Sequence, residues 1–376
     1  MTANLLRKIV FGTIVLIALI LLSDVSNKVS ANLAAPSQGG NVTGEPSGLE
    51  EIYITNENLT IDFRPLGDLK NVTDDANVYV EAVYDIENKG EEKELKLVFA
   101  VGSQKVNDFQ ILFDDIAVAK TDSVKIEELP EAWRPPDETP WLEGKNLMYY
   151  PASSLTNSVS FSLVIPPGKH IIKTKYTSEA AIYRGLGKLR AFQFAYILAP
   201  AREWAGFGGL QVKVFLPKDW TIAALPELER EGEILKGNFA KIPADSLGIT
   251  VQPPMPANHG LYANIFSAIF IFSMFGVPLC FLIYGWFAGF KLKMPWLTGI
   301  GFGFVWALSF CISGYFASYG ADNMIPAAYY SSYGYGDFFD GLLLIFFTIV
   351  LIFAGFGIWM LTVYFAKRRF ALRELN

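Results

Sequence analysis

The side chains that most often carry chemistry are few in this chain and far apart. Of 376 residues only two are histidine and two are cysteine. His170 stands beside a Pro-Pro-Gly turn and His259 just before an apolar run; neither has a second histidine or a cysteine at ligand spacing, so neither marks a metal site. Cys280 and Cys311 both lie inside apolar runs, which leaves the polar part of the chain without a disulfide framework. Adjacent carboxylates occur at Asp74-Asp75 and Asp114-Asp115. Such pairs can serve catalysis or hold calcium, but in strand-rich sequence they read first as solvated turns. The chain contains no G-x-S-x-G, no Walker A loop and no H-E-x-x-H. Gly299-Ile-Gly-Phe-Gly lies inside an apolar run and follows no strand, so it is not a nucleotide fingerprint. No catalytic residue, metal ligand or cofactor is expected. The catalytic reading left open is a site of scattered Asp, Glu and Tyr around the segment 129–145.

Binding residues are easier to nominate. The stretch YGADNMIPAAYYSSYGYGDFFDG combines tyrosines with Asp322, Asp337 and Asp340 and contains no Lys or Arg. Tyrosine offers a large contact area with a polar tip at low entropic cost, so Tyr329, Tyr330, Tyr333, Tyr335 and Asp337 are candidate docking residues. A weak divalent-cation site through the aspartates and an aromatic belt continuing into a mobile loop are the alternatives. Residues 199–209, APAREWAGFGG, join two strong strands; Trp204 and Phe207 there form either a binding loop or a structural corner with an aromatic plug.

The elements that must position these residues are of two kinds. Residues 265–290 run for 26 positions without a charge, and a helix of that length is about 39 Å long, enough to cross a hydrocarbon core of about 30 Å. Further apolar runs cover 297–318 and 342–366, and none of the three contains Asp, Glu, Lys, Arg or His, which argues against a proton or ion relay. Lys291 and Lys293 follow the first run, and Lys367, Arg368 and Arg369 follow the third, while the loop between the second and third is acidic. Basic flanks stay cytoplasmic, so the polar region is expected outside and the C-terminus inside. Gly285, Gly289, Gly299, Gly303 and Ala307 recur at four-residue spacing and predict close helix packing. Pro278 predicts a kink, and Tyr262, Trp286, Trp296, Trp359 and Tyr364 read as interfacial anchors.

Ahead of the first span the pattern has period two. Val78, Val80, Ala82, Tyr84 and Ile86 alternate with polar residues, and the turn at Asn88-Lys89-Gly90 followed by Leu95, Leu97 and Phe99 predicts a hairpin. A second hairpin is expected around Pro166-Pro167-Gly168. One-faced strands are expected at 192–198 and 210–216, and shorter ones at 52–55, 59–63, 109–113, 221–225 and 247–251. With four prolines in 129–145, that segment is expected to be a long loop or lid. The fold class is therefore a mainly β extracytoplasmic region, an antiparallel β-sandwich either elaborated or split in two, followed by three transmembrane helices.

The organisation expected is a signal peptide or signal anchor at 1–31, a flexible linker at 32–49, and the β region at 50–255. A juxtamembrane linker at 256–262, a three-helix membrane domain at 263–370 and a cytoplasmic tail at 371–376 complete the chain. Between Glu50 and His259 there are 31 acidic and 22 basic residues, a net charge of −9, which disfavours nucleic acid as a partner. Asn41, Asn58 and Asn71 begin Asn-x-Thr triplets. The function expected is that of a membrane-anchored, non-enzymatic binding protein whose partners are the lipid bilayer and another membrane or envelope protein. The alternatives are an accessory subunit of a transport or envelope-assembly complex, with the helices as contact surface, and the carboxylate-based enzyme.

Overall fold

A computed structural model describes residues 49, 51–100, 106–125, 131–149, 157–331 and 336–374, all within one compact unit, Val42–Asn376. The segments expected as a signal and, for the most part, as a linker lie outside the described residues.

The first strands are β1 (Ile52–Asp62), β2 (Asn77–Asn88), β3 (Lys93–Phe99), β4 (Val106–Phe113), β5 (Ile116–Ala117) and β6 (Lys120–Lys125). Next come β7 (Glu138–Pro140), β8 (Asn146–Met148), β9 (Asn157–Ile165), β10 (Gly168–Glu179), β11 (Ala181–Tyr183) and β12 (Ala191–Ile197). The region closes with β13 (Leu210–Phe215), β14 (Thr221–Leu225), β15 (Glu229–Glu231), β16 (Ile234–Phe239) and β17 (Ser246–Gln252). They form an eight-stranded sheet in the order β15-β16-β13-β1-β2-β10-β4-β5, a four-stranded sheet β11-β12-β17-β14, a three-stranded sheet β3-β9-β6 and the pair β7-β8. One hydrophobic core runs through the three larger sheets, with Ile61, Val80 and Val214 from the first, Phe194 and Ile249 from the second, and Leu95 and Leu163 from the third.

Both expected hairpins are corrected. β2 pairs with β1 and β10, whereas β3 pairs with β9, so the turns at 89–92 and 166–167 carry the chain from one sheet to another. Strands β2-β3 and β9-β10 make one long antiparallel ribbon, bent where Asn88 meets Gly168 on one side and Lys93 meets Ile165 on the other. The bend is held by the buried Asn88, whose Nδ2 donates to the carbonyls of Ile165 (3.0 Å), Pro166 (3.2 Å) and Glu91 (2.8 Å) while its Oδ1 accepts from Gly90 N (3.0 Å). Pro166 and Pro167 lack amide hydrogens and so cannot complete a hairpin ladder.

The two short strands expected at 52–55 and 59–63 are one strand, β1, with a bulge. Register against β2 slips between Ile54 and Asn56, leaving Thr55 unpaired. Before the bulge Ile52 and Ile54 face the core; after it Glu57, Leu59 and Ile61 do, so one extra residue inverts which face each side chain takes. Gly208 is fitted against this point: its N donates to Ile54 O (2.8 Å), and a Cβ would lie 2.2 Å from Thr55 O.

Strand β12 is buried along its whole length instead of on one face. The reason is the segment expected as a loop or lid, which forms the β7-β8 pair and packs across β12 and β17. Thr139 Oγ1 lies 2.8 Å from Thr250 Oγ1, and Gln193 Nε2 donates to Thr139 Oγ1 (2.7 Å) and Met148 O (3.1 Å).

At the C-terminal end are α1 (His259–Ile271), a π-helical turn Phe272–Gly276, α2 (Val277–Ala288), α3 (Pro295–Tyr315) and α4 (Gly336–Glu374). His259–Lys291, Pro295–Tyr315 and Ile345–Arg373 are each long and apolar enough to cross a membrane. The middle one is 44% buried in its apolar window against 6% and 11% for the others, so α3 is the central helix. Pro278 has no N–H to give the carbonyl of Met274 four residues earlier, and Trp306 Nε1 donates to that carbonyl instead (3.2 Å).

Candidate functional site

Among the described residues the carboxyl held well above its ordinary range is that of Glu57, which sequence reasoning missed. The bulge turns it inward opposite Tyr84 of β2, and it is only 1% exposed. Tyr196, from β12, donates its hydroxyl to Glu57 Oε1 (3.1 Å) and lies 2.6 Å from the Tyr84 hydroxyl. Phe99 and Tyr176 pack around Tyr196, with Phe109 stacked on Tyr176. Burial pushes the Glu57 carboxyl up to about 7, against the lowering effect of the two phenols, and holds both phenols well above their ordinary range. Glu57 and Tyr196 are buried and Tyr84 is partly so, an arrangement in which the carboxyl favours its neutral form. The signal for it was present: even-numbered Ile52 and Ile54 give way to odd-numbered Leu59, Ile61 and Phe63, so the phase must slip between them.

The carboxylates near the expected enzymatic segment are differently placed. Glu131, Asp137, Glu138 and Glu143 are exposed, and Lys145 Nζ sits 3.2 Å from Glu143. Asp74 accepts the backbone N–H groups of Lys70 (2.8 Å) and Asn71 (2.9 Å), which holds its carboxyl below the ordinary range. Asp114 and Asp115 form a turn with φ of 47° and 64°. There Asp114 accepts from Ile171 N (2.8 Å) and meets His170 Nδ1 at 2.7 Å. Both acid pairs lie in turns. Among the described residues no group of three His, Cys, Asp or Glu could hold a metal ion.

The acidic loop is the joint between the β region and the helices. Tyr329 is buried, donates to Leu66 O (2.8 Å) and meets Trp220 edge-on at 5.6 Å. Its carbonyl accepts from Arg190 N (2.8 Å), and Ser331 N donates to Lys188 O (3.0 Å). Asp322, also buried, takes Lys188 Nζ at 2.6 Å and His259 Nε2 at 3.0 Å, with Tyr330 OH 3.5 Å away. The stretch 321–331 is thus docked on its own chain, and the aromatic belt with a mobile loop does not describe it. Tyr333, Tyr335 and the Asp337 side chain lie outside the described residues. Trp204 and Phe207 are half-buried against the core, at the structural corner that Gly206 and Gly208 make with Ile54.

Each of the helix-packing glycines meets α4. A Cβ at Gly285 would lie 3.0 Å from Trp359, at Gly289 3.2 Å from Val363, at Gly299 2.8 Å from Trp359, and at Gly303 2.5 Å from Ile352 O. Ala307 is buried on the same helix face as Gly303. Trp359 is therefore not an interfacial anchor: it is buried among these helices, its Nε1 donating to Pro295 O (3.0 Å) and Thr298 Oγ1 (3.1 Å).

A third polar site is open. A groove of about 600 Å³ lies on the solvent face of the eight-stranded sheet, over β1, β13 and β16, with Glu227 and Glu229 at one side.

No family model and no curated protein matches the chain. Among solved structures, it is similar to one described as a nutrient binding protein from Legionella pneumophila, at 12% identity and a TM-score of 0.39 over 58% of this chain and 73% of that one. An M1 zinc metallopeptidase from Deinococcus radiodurans is similar at 11% identity and a TM-score of 0.27, over 54% of this chain and 43% of that one. Leukotriene A4 hydrolase from Saccharomyces cerevisiae gives 8% and 0.29, over 56% and 31%. At these values the likenesses carry no function to this chain.

Proposed function

We propose that the chain is a membrane-anchored, non-enzymatic recognition protein, its β region an elaborated sandwich held outside the cytoplasmic membrane on a three-helix foot. The observation that carries this reading is the docked loop between α3 and α4. Tyr329 in the β core and Asp322 beside His259 bind the β region to one end of the helices, so it is a fixed head and not a tethered one. At the other end Arg369 lies over the Trp286 ring at 4.6 Å and Phe290 stacks on Phe370, close to Lys291. Basic groups at the end away from the head match a cytoplasmic end. Phe272, Phe287 and Phe353 are exposed on the outer faces of the helices, a surface suited to lipid.

The partner is another membrane or envelope component, gripped by the head. Mild detergent extraction followed by proteolytic trimming of the β region tests this. A co-purifying partner that leaves with the β region supports the recognition head. One that stays with the helices favours the accessory-subunit reading.

A further inference from the structure

We propose that the groove on the outer face of the eight-stranded sheet binds an uncharged, hydroxyl-rich chain, a neutral glycan; this rests on the β region being the recognition head. Register sets the groove floor. In one row Asn58 of β1 pairs with Gln211 of β13, and Gln211 with Asn238 of β16. In the next, Thr60 pairs with Lys213, Lys213 with Lys236, and Lys236 with Glu229. Strand alternation puts both rows opposite the buried Leu59, Val212 and Leu235, facing solvent.

Three features of the amide row point to a ligand. Asparagine is depleted from strands, yet Asn58 and Asn238 both occupy them. None of the three amides has a side-chain hydrogen bond among the described residues, so nothing within the fold uses them. Each presents two donor hydrogens and an acceptor oxygen, repeated at the strand spacing of about 4.8 Å. Sugar hydroxyls donate and accept in the same way, and successive rings repeat on a similar scale.

Charge and topology exclude the main competitors. The groove lining contains Lys213 and Lys236 against Glu227 and Glu229, which balance. Lys236 is further paired with Glu231 at 2.5 Å, and Lys213 lies over the Phe215 ring at 4.9 Å. A polyanion would need uncompensated positive charge. An extended peptide would seek a sheet edge with free backbone groups, whereas β1, β13 and β16 are each paired on both sides.

The test uses the full-length protein in a detergent without a sugar headgroup. It is titrated calorimetrically with uncharged glucose, mannose and N-acetylglucosamine hexasaccharides, and with heparin as a polyanion. The expected result is binding of at least one neutral hexasaccharide, unaffected by high salt. Gln211→Ala and Asn238→Ala should each weaken it about tenfold, the loss of one or two hydrogen bonds, with an unchanged unfolding midpoint. No binding of any neutral hexasaccharide, binding that both substitutions leave intact, or binding confined to heparin and abolished by salt overturns the proposal. If the co-purifying partner is still held through the β region by both variants, the recognition head stands and the groove assignment alone falls. A partner that stays with the trimmed helices removes the recognition head itself.

Discussion

Glu57 and Asn58 are adjacent on β1 and differ in almost every physical respect. Glu57 is sealed in the core, bonded to Tyr196, and keeps its proton up to about pH 7. Asn58 faces the groove and has no side-chain partner among the described residues. Glu57 is joined on the inner face to Tyr196, itself beside Tyr84, whereas the Asn58 amide on the outer face is left over. What separates the two is the unpaired Thr55, which sets the phase of everything after it on the strand. A polar residue in a strand is therefore informative only once its face is known: inside, it titrates and stabilises or strains; outside, it is available to a partner.

Removing the bulge should break this contrast outright. Deleting Thr55 forces either Ile52 and Ile54 or Glu57, Leu59 and Ile61 onto the wrong face. The cost should exceed the ~5–15 kcal/mol stability of an ordinary domain, so the expected outcome is no folded product on size-exclusion chromatography in detergent. Next in size is the contact that seats the head on the helices. Tyr329→Ala empties a buried aromatic site and should cost about 4 kcal/mol in denaturant unfolding, while Tyr329→Phe, which loses only the bond to Leu66 O, should cost about 1 kcal/mol.

The inner face can also be sharpened by pH. Glu57 has a folded pKa of about 7 against an ordinary 4.5, so between those values the folded state holds a proton that the unfolded state has released. The Glu57 contribution to stability is full below about pH 4.5, falls as pH rises to about 7, and is then level, a loss of about 3 kcal/mol from this group. Glu57→Gln should remove that slope, making the variant about 3 kcal/mol more stable than the parent at pH 8 and about equal to it at pH 4, as followed by denaturant midpoints at the two pH values. The smallest effect belongs to the outer face. Asn58→Ala and Gln211→Ala should shift stability by no more than about 0.5 kcal/mol at any pH, because nothing inside the fold depends on them.

The three long apolar helices and most strands were legible, because both rest on periodicity and length. The spacing of the helix glycines does not name the groups they face; at Gly303 a Cβ would meet Ile352 O. Strand partners could not be read either. Pro166-Pro167-Gly168 looks like a hairpin turn, and only the buried Asn88, reaching carbonyls 77 and 78 residues away, shows it to be a bend between sheets. Asp322 and His259 are 63 residues apart and were each read alone. Glu57 was hidden because two short strands, read separately, conceal the slip between them.

The head outside, helices across and basic end inside can be tested in one measurement on intact cells. Cysteines are placed at Asn238, in the groove, and at Arg373, at the basic end of the last helix past the apolar run 342–366, and treated with a membrane-impermeant maleimide before and after permeabilisation. The expected result is labelling of Asn238→Cys in intact cells and of Arg373→Cys only after permeabilisation. Labelling of Arg373→Cys in intact cells with Asn238→Cys protected would contradict it.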